Sequence, residues 1–141
     1  IQNPNLMLQI REASAGIVPG VNVMGYTAAL SALQHGNIWL EELLAYLVDN
    51  RDYVIQYIEQ HIPKIRTTCP EATYLMWLDC SQINIPDENP EAFFLNTAKV
   101  AFSDGDMFGP GGNGFIRLNL ACPRSVLKTA LTRMRNAIND L

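Results

Sequence analysis

Between Gly109 and Arg124 the chain reads GPGGNGFIRLNLACPR, and a single arginine, Arg117, stands there among apolar residues, after a glycine-rich segment and before Pro123. Side chains alternate along a strand, so Phe115, Arg117 and Asn119 share one face while Ile116, Leu118 and Leu120 share the other. The second set has the chemistry of a core. A guanidinium is planar, permanently charged and shaped for two parallel hydrogen bonds. On the Phe115 face it therefore suits a carboxylate or phosphate brought from outside the strand. An internal ion pair with one of the fourteen acidic residues is the alternative, with Asp79, Asp104 and Asp106 as the candidates, and residue types alone leave both readings open.

Other chemistry is less well supported. Gly109, Gly111, Gly112 and Gly114 expose backbone donors, but the loop lacks the lysine and hydroxyl residue of a phosphate-binding loop and opens a strand instead of a helix. The glycines read as steric, letting the backbone turn tightly and pass close to a neighbour. His35 and His61 fall near helix ends and pair with no cysteine or acid at a metal-ligand spacing, so no metal site is expected. Trp77 and Tyr74, in an apolar run, read as core. Cys122 reads as a small buried apolar residue, and no set of nucleophile, base and orienting group emerges.

The elements that would carry Arg117 follow from periodicity. A short helix is expected over Asn5 to Ala15 within an arm containing Pro4, Gly16, Pro19 and Gly20, and a second over Val23 to Leu33, closing at Gly36. The longest pattern runs from Asn37 to about His61, where Trp39, Leu43, Leu47, Val54, Ile58 and Ile62 recur at helical spacing and Leu40, Leu44, Val48 and Ile55 widen the stripe. Asn37 is the expected N-cap, with Glu41 and Glu42 in the first turn and Pro63 as the stop. At 1.5 Å per residue such a helix is about 35 to 40 Å long, enough to bridge two domains. A strand is predicted over Ala72 to Asp79, a loop at Pro86, Asp87, Asn89 and Pro90, and a helix from Pro90 to about Thr97. A short strand at Val100 to Phe102 follows, then an acidic turn at Ser103 to Asp106, the arginine strand, and a last helix begun by Pro123. On that helix Leu127, Leu131, Met134, Ile138 and Leu141 form the apolar face. Three strands with several helices make an α+β layer, the helices on one side of the sheet.

The chain's 141 residues are 48% hydrophobic and 17% charged, with a formal net charge of −4, which argues against a nucleic-acid surface. No apolar run has the length of a membrane span. Three cysteines without a CxxC pair fit a reducing compartment, and a cytoplasmic location is expected. The first residue, Ile1, leads to the expectation that the chain is a piece of a longer polypeptide.

The segments TYLMWLD, Thr73 to Asp79, and SDGDMFGPGGNGFIRLNLACPR, Ser103 to Arg124, resemble the C-terminal part of fold-type I, pyridoxal-phosphate-dependent aminotransferases. Within that group they are most similar to the PatB/MalY branch of cystathionine β-lyase-like C-S lyases. The similarity extends to GNIWLEELLAYLVDNRDY, Gly36 to Tyr53, which resembles the long helix joining the large and small domains. It implies a small C-terminal domain with a short, mostly antiparallel sheet and helices on one side, preceded by that helix. Residues 1–35 would then be an arm and a strip of the large domain, 36–62 the bridging helix and 63–141 the small domain.

The resemblance also implies roles. Arg117 matches the arginine that grips the substrate α-carboxylate, Asn119 supports the same face, and Phe108 with Gly109 borders the substrate entrance. Lys64, Lys99 and Lys128 do not match the lysine that carries pyridoxal 5'-phosphate, which is expected upstream. No catalytic residue is therefore expected in this chain, and neither is covalent binding of the cofactor. The implied partners are an amino-acid substrate, the missing large domain and a second copy in a homodimer, with no nucleic acid and no membrane. The competing reading is a free-standing α+β domain that binds a small carboxylate or acts as a regulatory module, anchored by the same arginine.

Overall fold

The computed structural model describes residues 1–18, 20–85 and 89–141. Two compact units separate, Ile1–Glu41 and Glu42–Leu141. The first holds α1 (Pro4–Ser14) and α2 (Val23–His35), each opened by an asparagine whose Oδ1 accepts backbone N–H groups of the first turn: Asn3 from Asn5 and Leu6, Asn22 from Gly25. No residue of either helix is buried. Leu8, Val23, Met24, Tyr26 and Leu33 are all exposed. Pro19, part of the expected arm, lies outside the described residues.

The second unit is a four-stranded antiparallel sheet in the order β1-β2-β4-β3, with β1 Arg66–Thr67, β2 Leu75–Asp79, β3 Ser103–Asp104 and β4 Phe115–Asn119. Met76, Leu78, Ile116 and Leu118 project from one face into a core completed by Val54, Tyr57, Ile58 and Ile62 of α3 (Asn37–His61) and by Leu127, Leu131, Met134 and Ile138 of α5 (Arg124–Asn139). Phe93 and Phe94 close one end, from α4 (Pro90–Phe93) and the π-helical turn Phe94–Ala98 that continues it. Helices thus cover one side of the sheet, as expected. The other side carries the alternate residues Trp77, Asp79, Phe115 and Arg117, all half-buried.

Several local expectations change. The short strand falls at Ser103–Asp104, three residues after the expected start, because it is there that pairing with Arg117 and Ile116 is made. The strand predicted from Ala72 begins at Leu75, since Thr73 takes a left-handed conformation (φ 67°) that breaks the extended run, and Tyr74 is left exposed instead of joining the core. The helix predicted to Thr97 is one α-turn and one π-turn, ended by Lys99 at φ 56°. Pro86 and Asp87 of the expected loop lie outside the described residues, and Asn89 caps α4 through the Ala92 N–H. Asn37 is the first residue of α3 instead of its cap, so Glu41 and Glu42 fall beyond the first turn. Within the second unit the apolar stripe of α3 meets the core chiefly through its C-terminal half, and Leu44 and Val48 stay about half exposed. Leu141 follows the end of α5 and is exposed.

Candidate functional site

Arg117 sits in the middle of the open sheet face, with Trp77 directly opposite on β2 and Ser103 directly opposite on β3. Its Nη2 donates to Ser103 Oγ at 3.1 Å. The guanidinium carbon lies 4.6 Å from the centroid of the Phe108 ring. Phe108 meets Trp77 edge-on (5.5 Å, 81°), and Trp77 stacks nearly parallel on Phe115 (5.5 Å, 13°). Trp77 is therefore part of an aromatic wall beside the arginine and not a member of the buried core, because strand alternation assigns it to the uncovered face.

The three acids that could have neutralised Arg117 are engaged elsewhere. Asp104 accepts from Asn89 Nδ2 (2.9 Å) and from the Asp106 N–H (3.2 Å), and Asp106 accepts from Asn113 Nδ2 (3.4 Å). Asp79 accepts the Ser81 N–H at 2.9 Å, and hydrogen bonds from Ser81, aided by the charge of Arg66, hold its carboxyl below the usual carboxylate range. Among the described residues the one ion pair joins Arg51 to Asp52. Among the described residues the internal ion pair weighed from the sequence does not form. Among those residues Arg117 meets a neutral hydroxyl and a ring face, both compatible with a carboxylate arriving from outside.

The other expected site residues fall as follows. Phe108 closes a 3-10 turn (Gly105–Phe108) that lays its ring on Arg117. Gly109 follows at φ 103°, a backbone conformation that favours glycine, and its N–H donates to Asp106 O. Asn119 is exposed on the same face two residues beyond Arg117, but its Oδ1 already accepts the Ala121 N–H at 2.8 Å, so only its amide N–H groups remain to donate. The steric reading of the glycines holds at the base of the loop. Gly105 and Gly112 cross so closely that a methyl on either would overlap the other's carbonyl.

Sequence reasoning missed two features. Ser103 was read only as a turn residue. Asn50 was not singled out at all, although it is the one fully buried polar side chain among the described residues. Its Nδ2 donates to the carbonyls of Leu120 (2.9 Å) and Cys122 (3.0 Å), and its Oδ1 accepts from Arg124 Nε (2.7 Å). Arg124 also stacks over Tyr53 (4.6 Å), and its backbone N–H donates to Tyr46 Oη (2.7 Å). The long helix thereby grips the turn that follows the arginine strand. Asparagine within a helical apolar stripe is the signal that could have drawn attention to it.

This geometry accompanies clear likeness to known proteins. No family model matches the chain. Cystathionine β-lyase PatB of Bacillus subtilis is 34% identical over 120 residues, covering 85% of this chain and 31% of that protein. Protein MalY of Escherichia coli is 38% identical over 117 residues, covering 83% and 30%. The chain matches the C-terminal part of fold-type I pyridoxal-phosphate enzymes of the PatB/MalY branch. The crystal structure of cystalysin from Treponema denticola, which contains pyridoxal 5'-phosphate, superposes with a TM-score of 0.91 at 30% identity, over 99% of this chain and 36% of that one. The chain thus spans about a third of the length of its PatB/MalY relatives.

Covalent attachment of a cofactor such as the pyridoxal 5'-phosphate of cystalysin needs a lysine amine. Lys64 follows α3, Lys99 ends the π-turn and Lys128 lies 5.8 Å from the Tyr53 ring on α5. None belongs to a strand or to the loop carrying Phe108. The Arg117 face has no lysine of its own, so the described residues do not make a covalent seat for pyridoxal phosphate.

Proposed function

We propose that this chain supplies the substrate-gripping part of a pyridoxal-phosphate-dependent aminotransferase or C-S β-lyase acting on amino acids, with Arg117 as the residue that takes the α-carboxylate. The observation that carries the reading is a guanidinium on an open sheet face, held by Ser103 and Phe108 while Asp79, Asp104 and Asp106 are bound up in loop contacts. Phe108 and Gly109 border the same site, and Asn119 offers amide donors along it.

In this reading residues 1–35 form an arm and a strip of a large domain, 36–62 the bridging helix and 63–141 the small domain. The whole enzyme is a cytoplasmic homodimer. Bound cofactor would supply the electron sink. This chain's work is to fix the carboxylate so that the amino acid's Cα is held in one orientation for a base provided by the large domain, a contribution of positioning and charge complementarity. Alone, the chain is inactive.

Two measurements test this. In a polypeptide that joins the chain to its upstream region, Arg117→Lys replaces a two-pronged grip by a point charge and raises KM for the amino acid by about 10- to 100-fold. Unchanged kinetics remove Arg117 from the role. Pyridoxal phosphate added to the chain alone is expected to give no specific visible band and no turnover, whereas micromolar carboxylate binding by the chain alone would favour a free-standing binding domain.

A further inference from the structure

We infer that Ser103 is a positioning residue that decides which edge of the Arg117 guanidinium is offered to the carboxylate. The inference rests on the carboxylate-binding role proposed above. A guanidinium has two edges able to take a carboxylate in a fork, one built from Nε and Nη2 and the other from Nη1 and Nη2. Both use Nη2, and Nη2 is the atom that donates to Ser103 Oγ. One of its two protons is spent on the hydroxyl, so one fork is disabled and the other remains whole.

Local structure gives the hydroxyl this single task. β3 is only two residues long, and its Ser103 is the direct cross-strand partner of Arg117, which fixes the spacing between Cα atoms without help from the side chain. Phe108 covers one face of the guanidinium plane and so leaves in-plane rotation as the motion still to be restrained. A hydrogen bond in that plane restrains it. The neighbouring Asp104 does not compete, because both its oxygens accept from N–H groups of the loops.

The test uses the 141-residue chain and nuclear magnetic resonance of the arginine side chain, with sodium acetate as probe and sodium chloride as control. In the wild type, the Arg117 Nη protons should appear as separate, slowly exchanging signals, and acetate should shift one edge selectively, with millimolar affinity. Ser103→Ala should merge those signals through faster rotation and, with the disabled fork released, let acetate shift both edges instead of one. Ser103→Thr, which keeps the hydroxyl, should restore both readouts. Acetate binding that is present in the wild type and unaltered in Ser103→Ala, with rotation also unaltered, overturns the Ser103 inference while leaving the Arg117 role intact. Failure of acetate to perturb Arg117 in the wild type counts instead against the carboxylate-binding reading on which the inference rests. A loss of folding in Ser103→Ala, seen by circular dichroism and not repaired by Ser103→Thr, overturns the inference by making the residue structural.

Discussion

Replacing Asn50 with leucine should remove the clamp between the long helix and the turn after the arginine strand. Asn50 is fully buried and makes three hydrogen bonds, two neutral ones to the Leu120 and Cys122 carbonyls and one with the charged Arg124 Nε as donor. Neutral bonds are worth about 1 kcal/mol each and a charge-assisted one about 2 kcal/mol, a gross loss of about 4 kcal/mol. Leucine has nearly the same shape and recovers about 1 kcal/mol by apolar transfer. The Leu120 carbonyl also keeps its bond from the Cys122 N–H. A net loss of about 3 kcal/mol is expected. Urea unfolding followed by circular dichroism should show a midpoint lowered by about 1 to 2 M with an unchanged slope. Asn50→Asp should be at least as damaging, because a carboxylate would face two carbonyl oxygens. A midpoint within about 0.3 M of the wild type for Asn50→Leu would falsify the reasoning.

The remaining expectations concern titration, labelling and association. Burial pushes the Cys80 thiol up to about 12, so the folded state holds that proton more tightly than the unfolded chain; its contribution is complete below the ordinary thiol value and is lost as pH rises from there through about 12. The wild type should therefore lose more stability than Cys80→Ala over that window in matched urea titrations, and parallel curves would remove the effect. Asp79 runs the other way: its depressed carboxyl favours the folded state above the ordinary value of 3.8 and ceases to do so as pH falls below it, so Asp79→Asn should flatten the acid limb of the stability profile. Thiol reagents should modify exposed Cys69 first, half-buried Cys122 later, and buried Cys80 only at the rate of unfolding; early labelling of Cys80 would contradict its burial. With no buried residue in α1 or α2 and many large apolar side chains uncovered there, the isolated chain should self-associate in light scattering, and a clean monomer at high concentration would count against this.

Much of the fold was legible because it rests on regular spacing. The helix over 37–61, the strand ending at Asp79, the arginine strand and the face of α5 all carry periods that survive in the structure. The family resemblance was legible for a different reason, since SDGDMFGPGGNGFIRLNLACPR carries a pattern of particular residues. What escaped was fixed by distant partners. Arg66–Thr67 became a strand only because Asp79 and Leu78 offered an edge, and nothing apolar marks it. Asn50 is buried because carbonyls 70 and 72 residues away dock on it. The apolar stripe of α3 announced burial at Leu44 and Val48, which stay about half exposed, because periodicity marks an apolar face without saying what packs on it. Within the site, alternation placed Arg117 and Phe115 together, whereas the hydroxyl of Ser103 came from a two-residue edge strand too short to leave a pattern.

The crossing of Gly105 over Gly112 sets how this loop tolerates change. Because the two backbones touch at its base, the residues between them form a closed circuit whose tip, Gly109 to Gly111, has open space where side-chain atoms would be added. Lengthening a loop of this size beyond a pinned base costs only about 0.1 kcal/mol per added residue, since closure entropy grows logarithmically. Insertions at the tip should therefore be accepted without disturbing the strand behind it, whereas a single methyl at the crossing would pry the two strands' ends apart. The length of the tip is thus separable from the crossing at the base, which holds the Phe108 turn and the start of the arginine strand together.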